Sequence, residues 1–148
     1  MSDATAPVDV MGGATAPVEV EIVIPVHNER TAVEGSVRRL HGFLTRSCPF
    51  SWRILIADGA STDGTLKVSR RLTYELDHVE AIRLAVDGRD LTLRAVARQT
   101  NARAVCFMDL DHANSDLTSL PAVVAARVSN PTSHPLTFLS PRDRKLAS

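Results

Sequence analysis

The chain reads as an α/β protein: a three-layer, mostly parallel sheet of about four strands with flanking helices. Two observations predict this. Short apolar runs recur four times, at residues 18–26, 52–57, 81–86 and 104–108, and each leads through a polar, turn-rich loop into a stretch with apolar residues at helical spacing. Strands that alternate with helices must cross over, which makes neighbouring strands parallel and puts helices on the sheet faces. A third observation concerns chemistry: the loops after three of these runs carry carboxylates, at Glu29, Asp58 and Asp109 with Asp111.

Residues 1–18 are rich in Ala, Pro, Thr and Gly and contain the repeat ATAPVDV/ATAPVEV, so they are expected to form a flexible leader. VEVEIVIPV (18–26) is the first strand, with Pro25 marking its exit because proline cannot donate to a ladder. A polar loop, His27-Asn28-Glu29-Arg30, follows. Thr31 and Glu34 match a capping box for a helix to Ser47, whose apolar face is Val33, Val37, Leu40 and Leu44.

Pro49 breaks the chain before the second strand, WRILIA (52–57). The following run, from Asp58 to Thr65, is dense in turn and cap residues. A second helix to about Leu76 carries Val68, Leu72 and Leu76. The third strand (81–86), a turn at 87–90, a helix over 91–101, the fourth strand (104–108) and a helix over 117–128 capped by Asp116 or Thr118 complete the pattern. The organised domain is therefore expected over 19–129. Residues 130–148 hold three prolines and no periodicity, and are expected to be an irregular tail with at most a short strand at 136–139.

Length and composition set limits. With 148 residues, 44% hydrophobic and 23% charged, the chain has the makings of one globular domain. Lys plus Arg equal Asp plus Glu at 17 each, so no basic excess exists for general nucleic-acid binding. Two cysteines, Cys48 and Cys106, are too few for a disulfide framework or a zinc site, so reduced thiols and a cytoplasmic setting are expected. No apolar run is long enough to span a bilayer, so membrane contact is expected to be peripheral at most.

The chemistry concentrates at the strand exits. In a parallel sheet the loops bearing Pro25, His27 and Glu29, then Asp58, Ser61 and Asp63, then Asp109 and Asp111 converge on one edge, where ligands of open α/β sheets bind. Ser61, Asp63 and Thr65 read as turn and cap residues. Two carboxylates one residue apart suit a divalent cation that also holds phosphates; the plainer reading is a pair of solvated acids ending a strand.

In that order and spacing, EIVIPVHNE, ILIADGASTDGT and VCFMDLD resemble the nucleotide-binding half of family-2 glycosyltransferases with the GT-A fold, nearest the polyprenyl- or dolichyl-phosphate mannose or glucose synthase group. The resemblance covers roughly residues 20–128. It implies transfer of a sugar from a UDP- or GDP-sugar, with inversion, to an acceptor such as a lipid phosphate. It also implies that Pro25, His27 (where the family usually has Tyr) and Glu29 line the nucleoside pocket, and that Asp58 accepts from a base imino N–H. Asp109 and Asp111 are implied to act catalytically by holding Mg²⁺ or Mn²⁺ on the diphosphate. Gly88, Arg89, Leu93 and Arg94 match a segment with a basic residue near the phosphates, although Asp90 stands where glycine is common and Arg94 also reads as a solvated helix residue. His112 follows the acids either as a plain loop residue or as an added ligand. No acceptor-binding half is recognisable after Ser129, so a shortened chain that keeps only the nucleotide-binding half is the alternative to an active transferase.

Other readings fit less well. A dehalogenase-type phosphatase would need Thr where Ala113 stands. An EF-hand is excluded by Ala60 and Thr62 at ligand positions, and a dinucleotide glycine loop is absent.

Overall fold

The computed structural model describes residues 9–11, 17–85, 87–113, 117–129 and 136–139. The rest of the expected leader, the cap at Asp116 and residues 130–135 and 140–148 of the expected tail lie outside the described residues, as do the side chains of Arg89, Asp90, Leu93 and His112. The elements run β1 (Asp9–Met11), β2 (Val20–Val26), α1 (Arg30–Ser47), β3 (Trp52–Gly59), α2 (Thr65–Glu75) and β4 (Val79–Leu84), then α3 (Arg89–Gln99), β5 (Ala104–Met108), α4 (Leu110–Ala113), α5 (Leu120–Ser129) and β6 (Leu136–Leu139).

The strands form one sheet in the order β1-β4-β3-β2-β5-β6. The four expected strands, β2 to β5, are parallel neighbours at its centre. Two short strands extend the expected four: β6 adds in parallel to β5, and β1, from the segment read as leader, pairs antiparallel with β4.

Both faces of the sheet are buried, which is why the strands are nearly all apolar. Val20, Ile22, Ile24, Ile54, Ile56, Cys106 and Met108 point to one side, where they meet α1, α2, α4 and α5 through Val33, Leu40, Leu72, Leu110 and Val124. The alternate residues Val23, Leu55, Ala57, Val105 and Phe107 meet Val96 of α3 on the other. The predicted face of α1 is the buried one: Val33, Val37, Leu40 and Leu44. Cys106 is sealed in this core, and burial pushes its thiol up to about 11; both cysteines are free.

Several local expectations are corrected. Thr31 is not the cap of α1. The helix starts at Arg30, with Glu29 as N-cap and no side-chain cap from its own sequence. The reason is a better partner from elsewhere: the carboxylate of Asp63 accepts from Arg30 N–H at 3.3 Å. The second strand does not stop at Ala57 but runs through Asp58 to Gly59, because β4 pairs with it that far. The last large helix begins at Leu120, not Leu117, with Pro121 in its first turn.

The loops after β2 and β3 are hydrogen-bonded to each other throughout. Asn28 N–H donates to Ser61 Oγ (2.9 Å), Thr62 N–H to Asn28 Oδ1 (2.8 Å), and Glu29 N–H to Thr65 Oγ1 (2.9 Å). Asp63 Oδ1 in turn accepts from the backbone N–H of Thr65 (3.0 Å) and from its hydroxyl. Asn28 takes a left-handed φ of 51°, which asparagine tolerates, and Gly64 one of 97° at the start of α2.

At the opposite end of the strands, Arg53 and Glu21 form a buried ion pair at 2.9 Å, both side chains about 95% covered. Burying two charges is tolerated only because each has the other.

Two predictions follow from these contacts. Arg53→Met strands Glu21 in the core and is expected to cost about 3–5 kcal/mol in urea denaturation, with part of the loss recovered in the Glu21→Gln/Arg53→Met double variant. The hydrogen bonds from Thr65 hold the Asp63 carboxyl below its ordinary value. A carboxyl depressed on folding contributes stability above its unfolded value, near 3.9, that is lost as pH falls through the folded value. The melting-temperature gap between wild type and Asp63→Asn is therefore expected to be present at pH 7 and to close towards pH 3.

Candidate functional site

The chain order of the parallel strands reverses at β2: β3 and β4 lie to one side of it and β5 to the other. This switch point is where a crevice opens at the carboxyl edge of an α/β sheet. The registers show the opening. The β2–β3 ladder continues to Val26 and Asp58, whereas the β2–β5 ladder ends three residues earlier, at Val23 and Phe107. Pro25, half-buried and lacking an N–H, lies just past the last β2–β5 pair. Asp109 leaves β5 on the far bank.

On the near bank stands Asp58. Its residue is fully buried. One carboxylate oxygen, Oδ2, accepts from Ser61 N–H at 3.0 Å. The other, Oδ1, is buried without a hydrogen-bond partner among the described residues. A buried carboxylate oxygen left unpaired is costly, so it marks a position that a ligand's N–H or O–H would satisfy.

His27 is held against Gly59, the residue that follows Asp58. Gly59 C=O lies 2.6 Å from Nδ1 and can only accept, so Nδ1 carries the hydrogen. Nε2, 3.3 Å from Asn28 Nδ2, then accepts. Thr62 N–H fixes the orientation of that amide by binding Asn28 Oδ1, so the loop clasp also sets the histidine tautomer. The ring is exposed. Glu29 folds back on its own loop, with Oε1 accepting from His27 N–H at 3.1 Å.

The acids after β5 are arranged differently from the expected loop pair. Leu110 is buried and begins the single turn of α4, and Asp109 C=O accepts from Ala113 N–H at 3.0 Å. Asp109 thus caps the turn and is half-buried, while Asp111 lies within it and is exposed. Among the described residues no three His, Cys, Asp or Glu side chains gather closely enough to hold a metal ion. The donor chemistry still suits a divalent cation that takes one or two protein carboxylates and completes its shell from phosphate oxygens and water.

Of the sequence-predicted residues, Pro25, His27, Glu29, Asp58, Asp109 and Asp111 share the carboxyl edge. Arg94 is exposed on α3, the layer opposite to that of α4, and so stands apart from Asp111. Arg89 begins α3. Ser61, Asp63 and Thr65 do build the turn, and they also hold the neighbouring loop. Two residues were passed over by sequence reasoning. Asn28 is one; its signal was an asparagine inside a tight polar turn. The other is Asp87, after β4. A Cβ on Gly59 would stand 2.8 Å from Asp87 Oδ1 and 3.1 Å from its Cα, so a side chain there would crowd Asp87. That contact left no mark in the sequence beyond the glycine itself.

Comparison with known proteins agrees with this architecture. The model of glycosyl transferase family 2 matches residues 21–135. The succinoglycan biosynthesis protein ExoA of Rhizobium meliloti (strain 1021) is 40% identical over 74 residues, which are 46% of this chain and 22% of that protein. Among solved structures, the mannosyltransferase PcManGT from Pyrobaculum calidifontis, in complex with GDP-Man and Mn²⁺, superposes with a TM-score of 0.55 at 22% identity, over 71% of this chain and 31% of that one. S. aureus TarS 1–349 gives 0.56 at 17% identity, over 75% and 32%. These likenesses establish a shared GT-A-type fold, and the chain spans between about a fifth and a third of the length of these proteins. With three strand exits in the expected order and most of its length matched, the chain belongs to glycosyl transferase family 2.

Proposed function

We propose that the crevice between β2 and β5 binds the nucleoside diphosphate of a UDP- or GDP-sugar, and that the protein built on this domain transfers the sugar, with inversion, to an acceptor such as a lipid phosphate. The observation that carries this reading is the buried, unpartnered Oδ1 of Asp58. A carboxylate oxygen accepts, and the imino N–H of uracil or guanine donates, so either base would satisfy it. The exposed His27 ring, hydrogen-bonded to the carbonyl of Gly59 just after Asp58, would stack on the base or ribose. Pro25 and Glu29 would line the remainder of the nucleoside pocket.

The diphosphate would then extend across the crevice towards Asp109. Asp109, directly, and Asp111, through water, would hold Mg²⁺ or Mn²⁺ there. When bound, that ion would neutralise charge on the departing nucleoside diphosphate. In the transfer itself, the acceptor oxygen forms a bond to the anomeric carbon from the face opposite the diphosphate. The bond from that carbon to the diphosphate oxygen breaks, and its electron pair leaves with the nucleoside diphosphate. A phosphate acceptor is already anionic, so this step needs no strong base from the protein. Arg89, at the start of α3, and Arg94 are the candidates for attracting the phosphates as the donor enters. No helix among the described residues is long and apolar enough to cross a membrane. A cytoplasmic protein that meets a lipid acceptor peripherally at the membrane face is consistent with that.

Calorimetric titration tests the donor reading. GDP-mannose and UDP-glucose, each with Mn²⁺ and with EDTA, are expected to show saturable binding for at least one nucleotide, tighter with metal. Asp58→Asn should weaken that binding about 10- to 100-fold, the value of a hydrogen bond to a charged group. Asp109→Asn should abolish the gain from Mn²⁺ and leave metal-free binding intact. Absence of binding by both nucleotides in both conditions removes the functional reading and leaves the fold. Binding without turnover is the outcome for a chain that acts as the donor half alone.

A further inference from the structure

The end of the sheet remote from the crevice holds a cavity of about 130 Å³. It lies between the first residues of β2, β3 and β4 and the C-terminal end of α3. Leu55, Ile82 and Val96, each at least 95% buried, form its apolar floor. Gln99, which is exposed, and Thr100 stand at its mouth.

Its polar wall is built from the second residues of three adjacent strands: Glu21, Arg53 and Glu80. Glu21 and Arg53 neutralise each other at 2.9 Å. Glu80 is left over. It is 8% exposed, lines the cavity and makes no hydrogen bond or ion pair with the described residues. Burial pushes its carboxyl above the ordinary value; Arg53 pulls it down and Glu21 pushes it up. The C-terminal end of α3 brings the negative end of a helix dipole to the same place.

These features define the ligand by exclusion. An anion meets a surplus of negative charge, and a neutral molecule leaves Glu80 uncompensated. A metal ion finds Arg53 in the wall and no third acidic or histidine ligand among the described residues. An organic cation fits: N–H donors for Glu80 and a short aliphatic stem for the floor. The volume, many times the ~10–15 Å³ that one water needs, leaves room for an ammonium with a short alkyl chain. We propose that this cavity binds a short alkylammonium group, its N–H donors on Glu80 and its methylenes on Leu55, Ile82 and Val96. The site is independent of the crevice and of the donor proposed for it.

The test is an amide-resolved NMR titration of the full chain. n-Propylammonium chloride is compared with tetramethylammonium chloride at equal ionic strength, the latter carrying charge but no N–H. A blocked lysine amide forms a third arm that separates a protein side chain from a free amine as the source. Saturable shifts confined to Glu80, Ile82 and Thr100 are expected with n-propylammonium or the blocked lysine, and not with tetramethylammonium. Glu80→Gln, whose spectrum reports that it folds, should weaken this binding at least about tenfold while leaving nucleotide binding unchanged. Non-saturating shifts in the wild-type chain, equal shifts with tetramethylammonium, or unchanged affinity in Glu80→Gln would each overturn the proposal.

Discussion

Asn28 and Asp63 tie the loops after β2 and β3 into one unit, and the carboxyl edge of this protein depends on that tie. Each does two jobs. Asn28 accepts from Thr62 N–H and presents its amide to His27. Asp63 caps its own turn through Thr65 and caps α1 through Arg30. The start of α1 is therefore supplied by a carboxylate 33 residues away rather than by a neighbour. A helix terminus must satisfy its first N–H groups somehow, and here that need binds two successive strand exits together.

The clasp matters to the site because of where it holds the groups that face the crevice. Asp58 can be fully buried with one oxygen unpaired only if its turn is held from outside; otherwise the turn would open and hydrate the acid. The same bonds set His27 on Gly59 and leave its ring open to solvent. Gly59 completes the arrangement by giving Asp87 room where a Cβ would crowd it. Across the crevice, Asp109 is positioned differently, by the early end of the β2–β5 ladder and the turn of α4.

The two ends of the sheet handle charge by different rules. At the carboxyl edge, Glu29, Asp58 and Asp63 are held by backbone N–H donors of the loops. At the amino edge, Glu21 and Arg53 are matched inside the core and Glu80 is not. An apolar trio at those positions would leave the faces of β2, β3 and β4 uniform. Three charges there confine polar chemistry to one cavity under α3.

Much of this was legible in the chain itself. Four central strands, the buried face of α1, the α/β class and the placement of Pro25, His27, Glu29, Asp58 and Asp109 on one edge all follow from periodicity and turn chemistry, because both are local properties. What tertiary structure decided is what involves distant residues. The cap of α1 came from Asp63 instead of Thr31, since a nearby carboxylate outcompeted the local hydroxyl. The stretch after Asp109 became a helical turn because Leu110 had an apolar core to enter, and that put Asp111 inside the turn and Asp109 before it. β1 formed in a stretch of leader composition because β4 offered it an open edge, and no pattern within three residues could announce that. The buried pairing of Arg53 with Glu21 was hidden for the same reason: a charge in a strand has no visible partner until the neighbouring strand is laid beside it in register.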